Sequence, residues 1–123
     1  MNKTVLVAVS DIFFYTKVRD ALLPAGFHLE RIRAQEEIQS KAASLNPCAL
    51  ILNMNEERLD PFQALSQVRE SSPTRPLPVL AFANHEEAET WRRAKELGVT
   101  KIVSRNEFSA RTKDLVEELL GAR

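Results

Sequence analysis

"CALILNMNEERLDPF", residues 48–62, is the stretch whose reading decides the fold. Cys48 to Leu52 are small or apolar without a break, as in a strand covered on both faces. The run stops on Asn53, a polar loop follows, and Asp60-Pro61 supplies an N-cap acceptor with proline at the first helical position. A buried strand that passes through a short loop into a helix belongs to an open α/β sheet, whose strand ends usually carry the reactive group. Here that place holds an amide, which neither ionises nor attacks.

Outward from this stretch, two kinds of segment alternate. Strands are predicted over residues 4–9, 28–32, 48–53, 78–83 and 101–104. The runs starting at 4, 48 and 78 are almost wholly apolar and read as central parallel strands. The run at 28 alternates, with Leu29 and Ile32 among polar residues, and reads as an edge strand. Helical stripes lie between: Phe14, Val18, Ala21 and Leu22, closed by Gly26; Ile38, Ala42 and Leu45, ending before Pro47; and Phe62, Leu65 and Val68 after Asp60-Pro61. Asn84 and Glu87 resemble a capping box ahead of Ala88, Trp91, Ala94 and Leu97, which Gly98 stops. Leu115, Val116, Leu119 and Leu120 mark a last helix ending at Gly121. Five strands alternating with five helices predict a flavodoxin-like α/β sandwich, a parallel sheet in order 2-1-3-4-5, as one domain over residues 1–123. Ligands and chemistry are then expected just after Val9, Asn53, Ala83 and Ser104.

Composition removes several function classes. In 123 residues, 17 basic and 17 acidic side chains cancel, so no net field favours nucleic acid or an anionic membrane surface. No apolar run approaches the roughly 20 residues that cross a bilayer, and Met1-Asn2-Lys3-Thr4 carries no export signal, so a cytoplasmic setting is expected. The single cysteine, Cys48, forms no internal disulfide or metal cluster. Gly26, Gly98 and Gly121 all follow helices, so the strand-to-helix turns lack the glycines of a phosphate cradle, which argues against a dinucleotide or nucleoside triphosphate site.

These blocks together resemble the receiver domains of two-component response regulators, over essentially the whole chain. "TVLVAVSD" stands where receivers have a strand ending in paired acids, and "ALILNMNEERLDPF" matches the strand, acceptor Asp, loop and turn into a helix. "PVLAFANHEE" resembles the fourth strand with its Thr or Ser, and "ELGVTKIVSRNEF" the segment that runs to a Lys-Pro. The resemblance implies an Asp phosphoryl acceptor, carboxylates holding a divalent cation, a hydroxyl and a Lys. At the matching positions this chain has Asn53 for the acceptor, Val9 and Ser10 for the paired acids with Asp11 one residue later, Ala83 for the hydroxyl and Arg105 for the Lys. The customary aromatic of the fifth strand is Ile102, and Asn106 stands for the Pro. An amide forms no acyl phosphate, magnesium wants one or two carboxylates in octahedral geometry, and arginine keeps the charge with another shape. The resemblance therefore implies a degenerate pseudo-receiver that is not an enzyme, holds no cofactor and binds no Mg²⁺.

Single residues admit sharper and plainer readings. Asn53 either binds an anion or fixes the loop in one state, or simply caps the strand end by bonding the 55–58 loop backbone; the plainer reading is preferred. Asp11, Glu56 and Glu57 form a weak cation site or, more plainly, are solvated. Arg105 either binds an anionic ligand or, the preferred reading, pairs with Asp11 or Glu57. Cys48 reads as core, and Trp91 as partly buried core or a partner's anchor. His28 and His85 have no partner that suggests catalysis.

In receivers the fourth helix, fifth strand and fifth helix form the customary partner surface, which nominates Trp91, Arg92, Lys95, Lys101, Ile102 and Arg111. The leading expectation is a phosphorylation-independent signalling module acting through a protein partner or homodimer on that face. The alternatives are a phosphorelay receiver modified atypically, at Asp11 or Asp60, and a small-ligand sensor in a pocket of Ser10, Asn53, Ala83 and Arg105. No DNA-binding segment follows Arg123, so any output domain is expected to be absent or to lie outside this chain.

Overall fold

The apolar runs become five parallel strands. The structure, a computed structural model, describes residues 3–121. Its elements in chain order are β1 (Thr4–Ala8), α1 (Ile12–Leu22), β2 (His28–Arg31), α2 (Gln35–Ser44), β3 (Ala49–Asn53), α3 (Pro61–Glu70), β4 (Val79–Ala83), α4 (Ala88–Glu96), β5 (Lys101–Ser104) and α5 (Arg105–Gly121). The strands pair in the order β2-β1-β3-β4-β5, the flavodoxin-like order expected from the alternation of segments.

Successive strand side chains point to opposite faces, so the central strands feed two cores. Val5, Val7, Ala49, Ile51, Leu80 and Phe82 pack with Val18, Leu22, Phe108, Leu115 and Val116 of α1 and α5. Leu6, Ala8, Leu50, Leu52, Val79 and Ala81 pack with Ile38, Ala64, Leu65, Val68 and Ala94 of α2, α3 and α4. Each fully buried aliphatic side chain contributes roughly 1.5–3 kcal/mol, which is why the unbroken apolar runs sit centrally. The edge strands β2 and β5 are only partly buried.

The helix ends correct several expectations. Asn84 and Glu87 do not form a capping box: Glu87 is itself the N-cap of α4, Asn84 Nδ2 donates to its carboxylate (2.8 Å), and the Glu87 N–H donates to the Asn84 carbonyl (3.2 Å). The Asn84 side chain is drawn off by Glu87 and does not serve the helix. Leu45 lies beyond the end of α2 as its C-cap and is 38% exposed, and Ala88 is exposed too, so neither belongs to an apolar stripe. β1 stops at Ala8 and β3 opens at Ala49, with Val9 and Cys48 buried just outside them.

After β5 there is no loop where the receiver pattern has Lys-Pro. α5 starts directly at Arg105, with Ser104 Oγ accepting from the Glu107 N–H (3.0 Å). Farther along, α5 kinks at Arg111 (φ −131°, ψ 31°).

Candidate functional site

β1, β3 and β4 end side by side, and their terminal residues form a rim. Asn53, the last residue of β3, lies opposite Phe82 of β4 and is 6% exposed. Its Oδ1 accepts the Asn55 N–H (2.9 Å), an Asx turn that bends the chain away from the sheet. Asn55 carries the connection onward: its Oδ1 accepts from the Asn84 N–H (2.8 Å) and its Nδ2 donates to Glu87 (2.9 Å). Trp91 Nε1 closes the network on the Asn84 carbonyl (3.0 Å). Neutral amides and one carboxylate thus fasten the loop after β3 to the loop after β4.

Glu56 is not a solvated acid. Its Oε1 accepts the Ser10 N–H (2.9 Å), and its Oε2 accepts the Ser10 hydroxyl and the Glu57 and Arg58 N–H groups (3.1 and 3.0 Å). Burial raises its carboxyl pKa, but the Ser10 hydroxyl and N–H and the two turn amides outweigh this and hold it below the usual glutamate value. Asp11 is the N-cap of α1, its Oδ1 accepting from Phe13 N–H (2.8 Å) and Phe14 N–H (3.4 Å). Arg31 donates from Nη2 to the Ser10 carbonyl (3.1 Å) and lies over the Tyr15 ring. Among the described residues no three His, Cys, Asp or Glu side chains converge as a metal-binding group.

Arg105 corrects the ion-pair expectation. Its guanidinium lies 4.4 Å from the Phe14 ring centroid and 5.7 Å from that of Phe82, and it makes no ion pair among the described residues. Phe14, Phe82 and Phe108 stack beneath it, with Phe82 and Phe108 centroids 4.3 Å apart and fully buried. A guanidinium over an aromatic face gains about 0.5–2 kcal/mol, so the charge is accommodated without a carboxylate. Ala83 is fully buried in the core under α2, α3 and α4, which leaves its methyl group no access to a ligand.

The residues nominated for partner contact fall into two sets. Trp91 and Ile102 turn inward and pack, partly buried, against the α2–α4 core. The cations are largely engaged within the chain. Arg92 bonds Glu89 and Glu96 on α4, which raises its pKa, and Arg111 bonds Glu107 (2.9 Å) and Glu118 on α5. Lys101 of β5 reaches the same Glu118 at 4.0 Å, so β5 and α5 share one carboxylate, while Lys95 is exposed.

The expected bond from Asn53 to the 55–58 backbone is present at Asn55, but sequence reasoning did not anticipate the rim contacts of the Asn55 side chain, Arg31 or the Phe14 ring. Asn55 carried a usable signal, an amide two residues after a strand-ending Asn. Arg31 and Phe14 carried none, because each acts across the sheet or between elements.

The sequence matches no protein-family model and no curated protein. Solved structures do match along its whole length. A protein of Chloroflexus aurantiacus J-10-fl described as a response regulator is 22% identical, with 100% of both chains covered and a TM-score of 0.85. The receiver domain of NtrX from Brucella abortus is 19% identical over 97% of this chain and 99% of that one, at 0.81. The receiver domain of a sensor histidine kinase of Pseudomonas aeruginosa PAO1, solved with magnesium coordinated in its active-site cleft, is 13% identical over 98% and 99%, at 0.84. The chain has the receiver fold.

Proposed function

We propose that this chain is a single receiver-like signalling domain that works without phosphorylation of its acceptor position, through contact with a protein partner or a second copy of itself. One observation carries the reading: the acceptor position is a buried amide whose oxygen is committed to the Asn55 N–H. An amide offers no carboxylate for acyl phosphate formation. The neighbouring groups support this reading. Ala83 has no hydroxyl to bond a phosphoryl oxygen, and Arg105 rests on Phe14.

The residues present do not fit a magnesium ion. Asn53 is neutral, Glu56 is surrounded by four donors, and Asp11 is spent on a helix cap. No catalytic step is assigned to the rim, and the chain is read as a non-enzymatic module. Among the described residues no helix is long and apolar enough to cross a membrane, and a cytoplasmic setting is part of the same reading.

Contact is assigned to α4, β5 and α5. The ion pairs there leave a patterned, nearly neutralised surface around exposed Lys95 and Lys101, so recognition would rest on shape and register more than on net charge. Titration of the ¹⁵N-labelled chain with beryllofluoride and Mg²⁺ tests the central point. The Asn53 and Ala83 amides are expected to stay in place; a saturable, Mg²⁺-dependent shift at both would refute the reading.

A further inference from the structure

Four donors from two loops close on one carboxylate. Ser10 contributes its N–H and O–H, and the turn contributes the N–H groups of Glu57 and Arg58, all to Glu56. Each of these contacts donates, so the cradle suits a negative occupant and disfavours a cation. The charge is stabilised strongly enough to keep the Glu56 carboxyl pKa below its usual value despite burial. Beside the cradle, Arg31 Nη2 holds the Ser10 carbonyl (3.1 Å), and Arg31 Nε is buried with no hydrogen-bond partner among the described residues. The same turn borders an open cleft of about 490 Å³ that includes Gln35, Met54 and Phe62, which gives the Glu56 side chain room to swing away.

We propose that Ser10 and the turn at residues 56–58 form an oxyanion site whose resting occupant is the chain's own Glu56, and whose external ligand is a phosphate- or carboxylate-bearing molecule that takes its place. This inverts the rim's polarity relative to the acidic, cation-binding corner that the receiver resemblance implies. It goes beyond the proposed mode of signalling and concerns reversible exchange, in which no covalent bond is made or broken. A tethered carboxylate competes at an effective concentration of roughly millimolar, so the native chain keeps the site closed to weak free anions. Displacing Glu56 would release the bonds that join the loop after β1 to the loop after β3.

The test is an amide-shift titration of the native chain, E56A and E56Q with inorganic phosphate and, separately, with acetate at constant ionic strength. E56A should show saturable shifts at Ser10, Glu57 and Arg58, with the native chain saturating only at higher anion concentration. E56Q should fall between them, because its amide still accepts hydrogen bonds but carries no charge. Saturation by phosphate alone assigns the site to phosphate-bearing ligands, and saturation by acetate as well extends it to carboxylates. Absence of saturable shifts in folded E56A and E56Q, or equal binding by the native chain and E56A, overturns the proposal. E56Q retains an acceptor oxygen in the cradle and remains the readout should E56A fail to fold.

Discussion

Glu56 shows how one side chain can give a rim its character. Its carboxyl is held below the usual glutamate value of 4.5, against the opposing effect of burial, by the Ser10 hydroxyl and N–H and the amides of Arg58 and Glu57. A folded-state pKa below the unfolded one means that the unfolded chain binds the proton first as pH falls. The stabilisation is therefore fully present above about pH 4.5 and is lost as pH drops through the lower, folded-state value. Glu56→Gln is expected to lower the melting temperature at pH 7 and to lose that deficit progressively as pH falls below about 4.5. Thermal melts of both proteins across that range check it. A deficit that stays constant with pH would mean that the carboxylate charge is not what the cradle holds.

At the scale of elements, Arg69 of α3 does for the opposite ends of β4 and β5 what Glu56 does for the rim. Its guanidinium donates to the carbonyls of Gly98 (2.8 Å), Arg75 (2.8 Å) and Leu77 (2.7 Å) and to Thr100 Oγ1 (3.2 Å). α3, the loop before β4 and the turn before β5 are thereby tied to one fork. Thr100 Oγ1 in turn accepts the Val79 N–H (2.9 Å) at the start of β4. Gly98 is tightly placed there, with φ +94° and Arg69 Nε 3.2 Å from where a Cβ would stand. Arg69→Ala leaves several backbone carbonyls without this partner and should cost about 2–4 kcal/mol in urea unfolding. Arg69→Lys should recover only a minor part, because an ammonium cannot reproduce the planar fork. A loss below about 0.5 kcal/mol for Arg69→Ala would show the fork to be incidental.

The same scale explains what was legible in the sequence. Apolar runs within residues 48–53 and 78–83 announced central strands because burial on both faces demands it, and the strand order was the one expected of a five-stranded α/β chain of this size. The start of α3 was legible because Asp60 and Pro61 act locally, and Asp60 Oδ1 does accept the Gln63 N–H (3.0 Å). Asn84 and Glu87 misled because the same residues also had a partner in Asn55, a nonlocal contact that periodicity does not encode. Arg105 misled in a similar way: charge suggests a carboxylate, but the nearest suitable surface in the folded chain is the face of Phe14. The positions of Asn53, Ser10, Ala83 and Arg105 could be read from the sequence, whereas the partners each one takes came only with tertiary structure.

At the scale of the molecule, the chain has the receiver fold, and the proposed function reads its rim as reassigned. The sheet order is the flavodoxin-like one of the receiver fold, and solved structures with that fold match 98–100% of the chain. Within that scaffold, Asn53, Asn55, Asn84 and Glu87 lock the rim on one side, Glu56 and Ser10 lock it on another, and Arg105 rests on stacked aromatics. With no carboxylate at the acceptor position, the rim should be indifferent to phosphoryl donors. The most direct measurement is the intact mass of the chain after prolonged incubation with acetyl phosphate and Mg²⁺. An unchanged mass is expected. Addition of one phosphoryl group, traced by fragmentation to the rim or to Asp11 or Asp60, would contradict it.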